Sequence, residues 1–176
     1  MSSLTEKDLR GLFKLLNEVL GHSGADTELF LVGGALMCLA YAAQAPTREV
    51  DAVLLPPTDL RVASLRVARH AKVPPERLND AVMGLVSARA DFAPFLELEH
   101  LRVMVARSQH LLAMKCLSFR IGAEFHDEDD IRFLLRLLEL RSYDKAVAVI
   151  SRYYPIERFP QKTLHTLAEL LPNEGG

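Results

Sequence analysis

The stretch that most limits how this chain can fold is LFLVGGALMCLA, residues 29–40. A short apolar run stops at two glycines, and a run rich in alanine and leucine follows. The spacing predicts a strand over Glu28–Val32 and a buried helix over Ala35–Gln44, with Gly33-Gly34 as the turn between them. Glycines at such a turn let backbone come close to a ligand and leave helix N-terminal N–H groups pointing at an anion. A tight strand-to-helix turn uses the same residues with no ligand at all.

The next strand raises a second question. Glu49 to Leu55 alternates acid, valine, acid and then turns apolar, and Pro56-Pro57 closes it. Residues two apart on a strand project to the same face, so Glu49 and Asp51 point the same way. Two neighbouring carboxylates on a half-buried strand repel each other and resist desolvation. A hard divalent cation such as Mg²⁺ relieves both, since it takes one or two carboxylates and completes its shell with phosphate oxygens. A solvent-exposed sheet rim accommodates the pair equally. With the glycine turn one helix earlier, the two features together suit a phosphate-and-metal site.

The rest of the chain reads as α/β followed by all-α. Thr5 to Leu20 has apolar residues at helical spacing, with Thr5 as N-cap and Gly21 as stop. Asp59 to Lys72 is a second amphipathic helix, broken by Pro74-Pro75. Leu78-Asn79-Asp80 reads as a turn or a helix start. Phe95–Glu99 and Leu101–Val105 alternate, as an antiparallel pair or one bent strand would. From Ser108 the period is helical, with helices expected over 109–121, 128–140, 143–152 and 161–171. Residues 1–106 thus form an α/β core and 107–176 a helical region packed on it.

Bulk properties narrow the class. A length of 176 residues with 49% apolar content supplies one sizeable core, and a net charge of −2 excludes coating of nucleic acid by net charge alone. Cys38 and Cys116 lack ligand-like spacing and read as buried thiols in a reducing compartment. The polar N-terminus and the absence of a bilayer-length apolar run lead us to expect a soluble, cytoplasmic protein without a membrane partner.

Three segments in order carry a resemblance: TREVDAV (47–53), LNDAVMGL (78–85) and LLAMKCLSFR…HDEDDI (111–131). The glycine turn followed by an acid-x-acid strand resembles the nucleotidyltransferase superfamily. The ordered set resembles, more closely, a bacterial group related to the AbiEii-type toxins of abortive-infection toxin–antitoxin systems. The resemblance implies a nucleotidyltransferase-like small mixed sheet with helices and a C-terminal helical bundle. It implies Mg²⁺-dependent transfer of a nucleoside monophosphate from an NTP to an RNA (tRNA) or protein acceptor, under the control of an antitoxin. Glu49 and Asp51 would then hold the metal. Gly33, Gly34, Thr47 and Arg48 would bind the nucleotide together with Lys115 and Arg120. Lys115 and Asp130 would join the two acids in catalysis.

This chain has Glu49 where that group more usually has aspartate. The third acid of many nucleotidyltransferases has only Glu97 and Glu99 as candidates. A weakened fold that binds nucleotide or protein without turnover is the alternative.

Lys115 and the acidic run also have an ordinary reading. A lysine on an apolar helix snorkels or meets an anion. Asp127 suits an N-cap, Glu128 and Asp129 suit solvated first-turn positions, and Asp130 falls near the buried face, within reach of Lys115 or Arg120. A salt bridge and a site look identical at this level. Tyr153 and Tyr154 read as packing residues, and no histidine has a partner at metal-ligand spacing.

Overall fold

Thr5 opens the first helix with a reciprocal cap. The Asp8 N–H donates to the Thr5 hydroxyl at 3.3 Å, and the Thr5 N–H donates back to the Asp8 carboxylate at 2.9 Å. Such a box satisfies donors that every helix start leaves open and is worth about 1 kcal/mol. It also holds the Asp8 carboxyl below its ordinary value, chiefly through the Thr5 hydroxyl. The computed structural model describes residues 4–41, 50–55, 78–79, 89–119 and 127–171. Backbone contacts divide the chain into two units, Met1–Gly84 with Phe92–Ala106, and Leu85–Asp91 with Arg107–Gly176.

In the first unit, helix α1 (Glu6–Ser23) buries Leu9, Phe13, Leu16 and Leu20. It runs past Gly21, the expected stop, and is capped by Gly24 in the left-handed region at φ +66°. Gly21 serves a different need. A Cβ there would lie 2.7 Å from the His100 ring, so this position admits no side chain while that ring stays in place.

Strand β1 (Thr27–Leu31) buries Thr27, Leu29 and Leu31 and leaves Glu28 and Phe30 half-exposed. Helix α2 (Gly33–Tyr41) follows after Val32 and buries Ala35 through Leu39. Strand β2 (Val50–Leu55) comes next, and its residues match the expected strand. Leu78-Asn79 is not a turn or a helix start but a short strand, β3, paired in parallel with Val50-Asp51. The partner strand supplies ladder bonds that the local sequence cannot reveal. The helix expected over Asp59–Lys72 lies outside the described residues.

Strands β4 (Phe92–Glu97) and β5 (Leu101–Ala106) form the antiparallel pair rather than one bent strand. Their register shifts between Pro94 and Leu96. Proline has no N–H to give the ladder and is tolerated at bulges and edges, and β4 ends the described sheet. The order is β3-β2-β1-β5-β4, with β1 antiparallel to β2 and parallel to β5. Helix α1 packs against α2 and β5, and α2 against β2. The fold is mixed α/β, as expected.

The second unit is built from α3 (Ser108–Leu117), α4 (Asp127–Leu137), α5 (Tyr143–Ile150) and α6 (Gln161–Leu170), with a 3₁₀ turn at Ile156–Arg158. Helix α3 packs against α4 and α5, and α5 against α6. The buried Thr163 hydroxyl on α6 donates to the Cys116 carbonyl at 2.9 Å. Cys38 and Cys116 are both buried, as expected. Burial pushes the Cys116 thiol far up, which keeps it protonated and inert.

Gly11 within α1 and Gly24, its C-cap, give opposite expectations. Gly11 is exposed with open space around its would-be Cβ, so Gly11→Ala stabilises by about 0.5–1 kcal/mol through helix propensity. Gly24→Ala forces an L side chain into the left-handed region and costs about 1 kcal/mol or more. Urea midpoints of the two variants moving in the same direction would contradict this account of α1.

Candidate functional site

The glycine pair sits where the sequence places it, between strand and helix. Gly33 has φ +68°, a conformation that L side chains adopt at a cost, and α2 begins at this residue. The first N–H groups of an α-helix have no intrahelical partners, so this start offers donors and positive dipole to an anion. Helix α2 has no acidic residue in its first turn to compete for that role.

Strand register brings Asp51 to the same place along the sheet. Leu31 pairs with Ala52, so Asp51 is one residue beyond that pair, at the end of β1 from which the chain turns into α2. Asp51 also pairs with Asn79 of β3. Backbone alone therefore puts the turn and Asp51 at one end of one sheet. Glu49, Thr47 and Arg48 lie outside the described residues, and so does Arg120. Among the described residues no group of three histidine, cysteine or acidic side chains is placed to hold a metal ion.

Glu97 and Glu99 lie at the other end. Glu97 pairs with Arg102, and Arg102 with Glu28 near the start of β1. Leu31 is three residues further along, or about 10 Å of strand. The two glutamates line an open groove of about 490 Å³ together with Asp26, Glu28, His100 and Arg102. Within it the Arg102 guanidinium bridges Glu28 at 3.0 Å and Glu97 at 3.2 Å. His100 Nδ1 lies 2.9 Å from the Asp26 carboxylate, and the His100 N–H donates to Asn17 at 2.8 Å. Neither glutamate is where a third acid beside Asp51 would have to be. Sequence distance gave no warning of this, because the hairpin reverses direction between Glu97 and Leu101.

Lys115 and Asp130 belong to the second unit, where they meet. The Lys115 ammonium lies 2.6 Å from Asp130 and 3.2 Å from Asp127. All three side chains are less than a tenth exposed. Lys115 sits among Leu111, Leu112, Met114 and Cys116 of the same buried helix, where a charge persists only if paired.

Asp127, expected as an N-cap, is buried. It is the first residue of α4, turned inward to a lysine on another helix. Asp127 and Asp130 are three apart and share a helix face, and the positive end of the α4 dipole favours acids in this first turn. Glu128 and Asp129 are exposed as expected, with Glu128 paired to Arg132 at 2.9 Å.

Comparison of the chain with protein families and with curated proteins gave no match.

The buried cluster predicts a large stability effect at Lys115. Replacing it by methionine leaves two carboxylates facing each other in a low-dielectric interior, which costs about 3–5 kcal/mol. Thermal melts follow the loss. A melting temperature within a degree or two of wild type would show that the cluster carries little of the second unit's stability.

Proposed function

We propose that this chain is a Mg²⁺-dependent nucleotidyltransferase that moves a nucleoside monophosphate from an NTP to an acceptor hydroxyl. The observation that supports it is the convergence of the left-handed Gly33 turn, the α2 N-terminus and Asp51 at one end of the sheet. The α2 N–H groups and the small glycines receive the triphosphate, where backbone approach without side chains is an advantage. Glu49 and Asp51 provide two hard oxygen donors, and the NTP phosphates provide the rest of the set that Mg²⁺ prefers. A Mg²⁺ held there would neutralise phosphate charge, favour loss of the acceptor hydroxyl's proton and stabilise the departing pyrophosphate. Phosphoryl transfer asks a protein mainly for positioning and electrostatics, which a helix N-terminus beside an acidic strand supplies. The resemblance to AbiEii-type toxins suggests an RNA or protein acceptor and an antitoxin partner.

A second reading has its own support. Glu97 and Glu99 lie at the far end of β1, so no third acid is identified beside Asp51 among the described residues. A fold that binds NTP–Mg²⁺ without transferring it fits that arrangement.

Calorimetry with NTP and Mg²⁺, then incubation with labelled NTPs and total RNA, separates these readings. Asp51→Asn removes one of two anionic ligands and is expected to abolish Mg²⁺-dependent binding. Glu49→Asp is expected to retain it, with the shorter side chain accommodated by Mg²⁺ at about 2.1 Å. Binding of NTP–Mg²⁺ by both variants at the wild-type level would overturn the metal site. Binding without any labelled product would favour the non-transferring module.

A further inference from the structure

His110 is wholly buried near the start of α3, and the sequence offers no reason for it. Its ring stacks on Tyr153, with centroids 4.9 Å apart and planes 16° from parallel. Tyr154 lies beyond, at 6.4 Å. The Asp91 N–H donates to His110 Nδ1 at 3.3 Å. Asp91 is the last residue before β4 and Arg107 the first after β5. These two are bonded as well, through Arg107 N–H to the Asp91 carbonyl at 2.9 Å and Arg107 Nε to its carboxylate at 3.1 Å. Asp91 is therefore clasped to the start of α3 by three contacts, of which one uses an imidazole nitrogen as acceptor.

That role requires Nδ1 to be unprotonated, which puts the neutral ring's proton on Nε2. We infer that His110 makes this clasp acid-sensitive: protonation of the ring turns Nδ1 into a donor facing the Asp91 N–H and loosens residues 89–91 from α3. Among the described residues, the Asp91 charge acts on the ring itself, Arg107 and Arg152 act on the stacked Tyr153, Tyr154 lies beyond, and Arg89 donates to the Arg152 carbonyl at 3.4 Å. Burial pushes His110 below its ordinary value of 6.5, against the opposite pull of the Asp91 carboxylate.

The direction of the pH effect follows. A histidine whose value is depressed on folding contributes stability that is complete above about 6.5 and is lost as pH falls toward the folded-state value. The loosening thus belongs below pH 6.5, and the clasp is closed at neutral pH.

The test uses the full chain labelled with ¹⁵N. At about pH 8, two-bond imidazole spectra should show His110 with Nδ1 unprotonated. On acidification the Asp91 amide shift should follow the His110 titration. Its exchange protection, corrected for the intrinsic rate, should fall by up to about tenfold per unit by which the histidine is depressed. His110→Asn retains an acceptor near Nδ1 without a titrating group and should keep Asp91 protected into the acid range. Three results would each overturn the inference. They are a protonated Nδ1 at neutral pH, an Asp91 amide indifferent to the His110 titration, and a His110→Asn variant that loses protection over the same pH range as wild type. The first two need only the wild-type protein, so they stand even where the variant fails to fold.

Discussion

Strand β1 hydrogen-bonds along both edges, antiparallel to β2 and parallel to β5, and the arrangement of the first unit follows from that double pairing. Five residues suffice because alternate side chains, Thr27, Leu29 and Leu31, are buried. A shift of one residue would put Glu28 and Phe30 on that face, so the register is strongly specified. Fixed register on the β2 side is what carries Asp51 to the level of the glycine turn. Fixed register on the β5 side carries Arg102 to Glu28, and through β4 to Glu97, at the opposite end. The sheet thereby separates two polar regions that the linear sequence leaves undistinguished.

The second unit depends on a different kind of constraint. A lysine on an apolar helix must be matched, and α4 matches it with two aspartates from its first turn. A buried ion group is not in itself an efficient source of stability, since apolar replacements of the same shape often do as well. It is demanding about geometry, however, because removing any one partner strands the others. Lys115 and the two aspartates therefore fix the mutual setting of α3 and α4 more than Leu–Leu contacts would. In the same unit the Thr163 hydroxyl ties α6 to α3 through the Cys116 carbonyl.

How much of this was legible in the sequence depended on where each residue's partner lay. Helix α1 could be read because its cap, Thr5 and Asp8, and its apolar face are local. The role of Gly21 could not, since what requires a glycine there is His100, a residue from the β4–β5 turn. Strands β1 and β2 announced themselves by composition, and the Gly33 turn by its glycines. Strand β3 looked like a turn because two residues carry no period and its pairing comes from β2. Asp127 reads as a cap because capping is local chemistry, and its pairing with Lys115 was not legible because that residue sits on the previous helix. His110 gave no signal, for its partners come from the segment before β4 and the one after α5. Of the candidate site, Gly33, Gly34 and Asp51 are brought together by backbone alone, and Lys115 with Asp130 forms the buried bridge that had been one of its two readings.

The central claim is that the end of β1 holds a triphosphate and its metal. Crystals grown with a non-hydrolysable NTP analogue and Mn²⁺ in place of Mg²⁺ test it most directly, because anomalous scattering locates the ion without assumption. The account predicts a manganese peak bonded to the Asp51 carboxylate and to phosphate oxygens, with the triphosphate lying along the Gly33-Gly34 turn. Nucleotide and manganese bound elsewhere on the chain, with that turn empty, would contradict it.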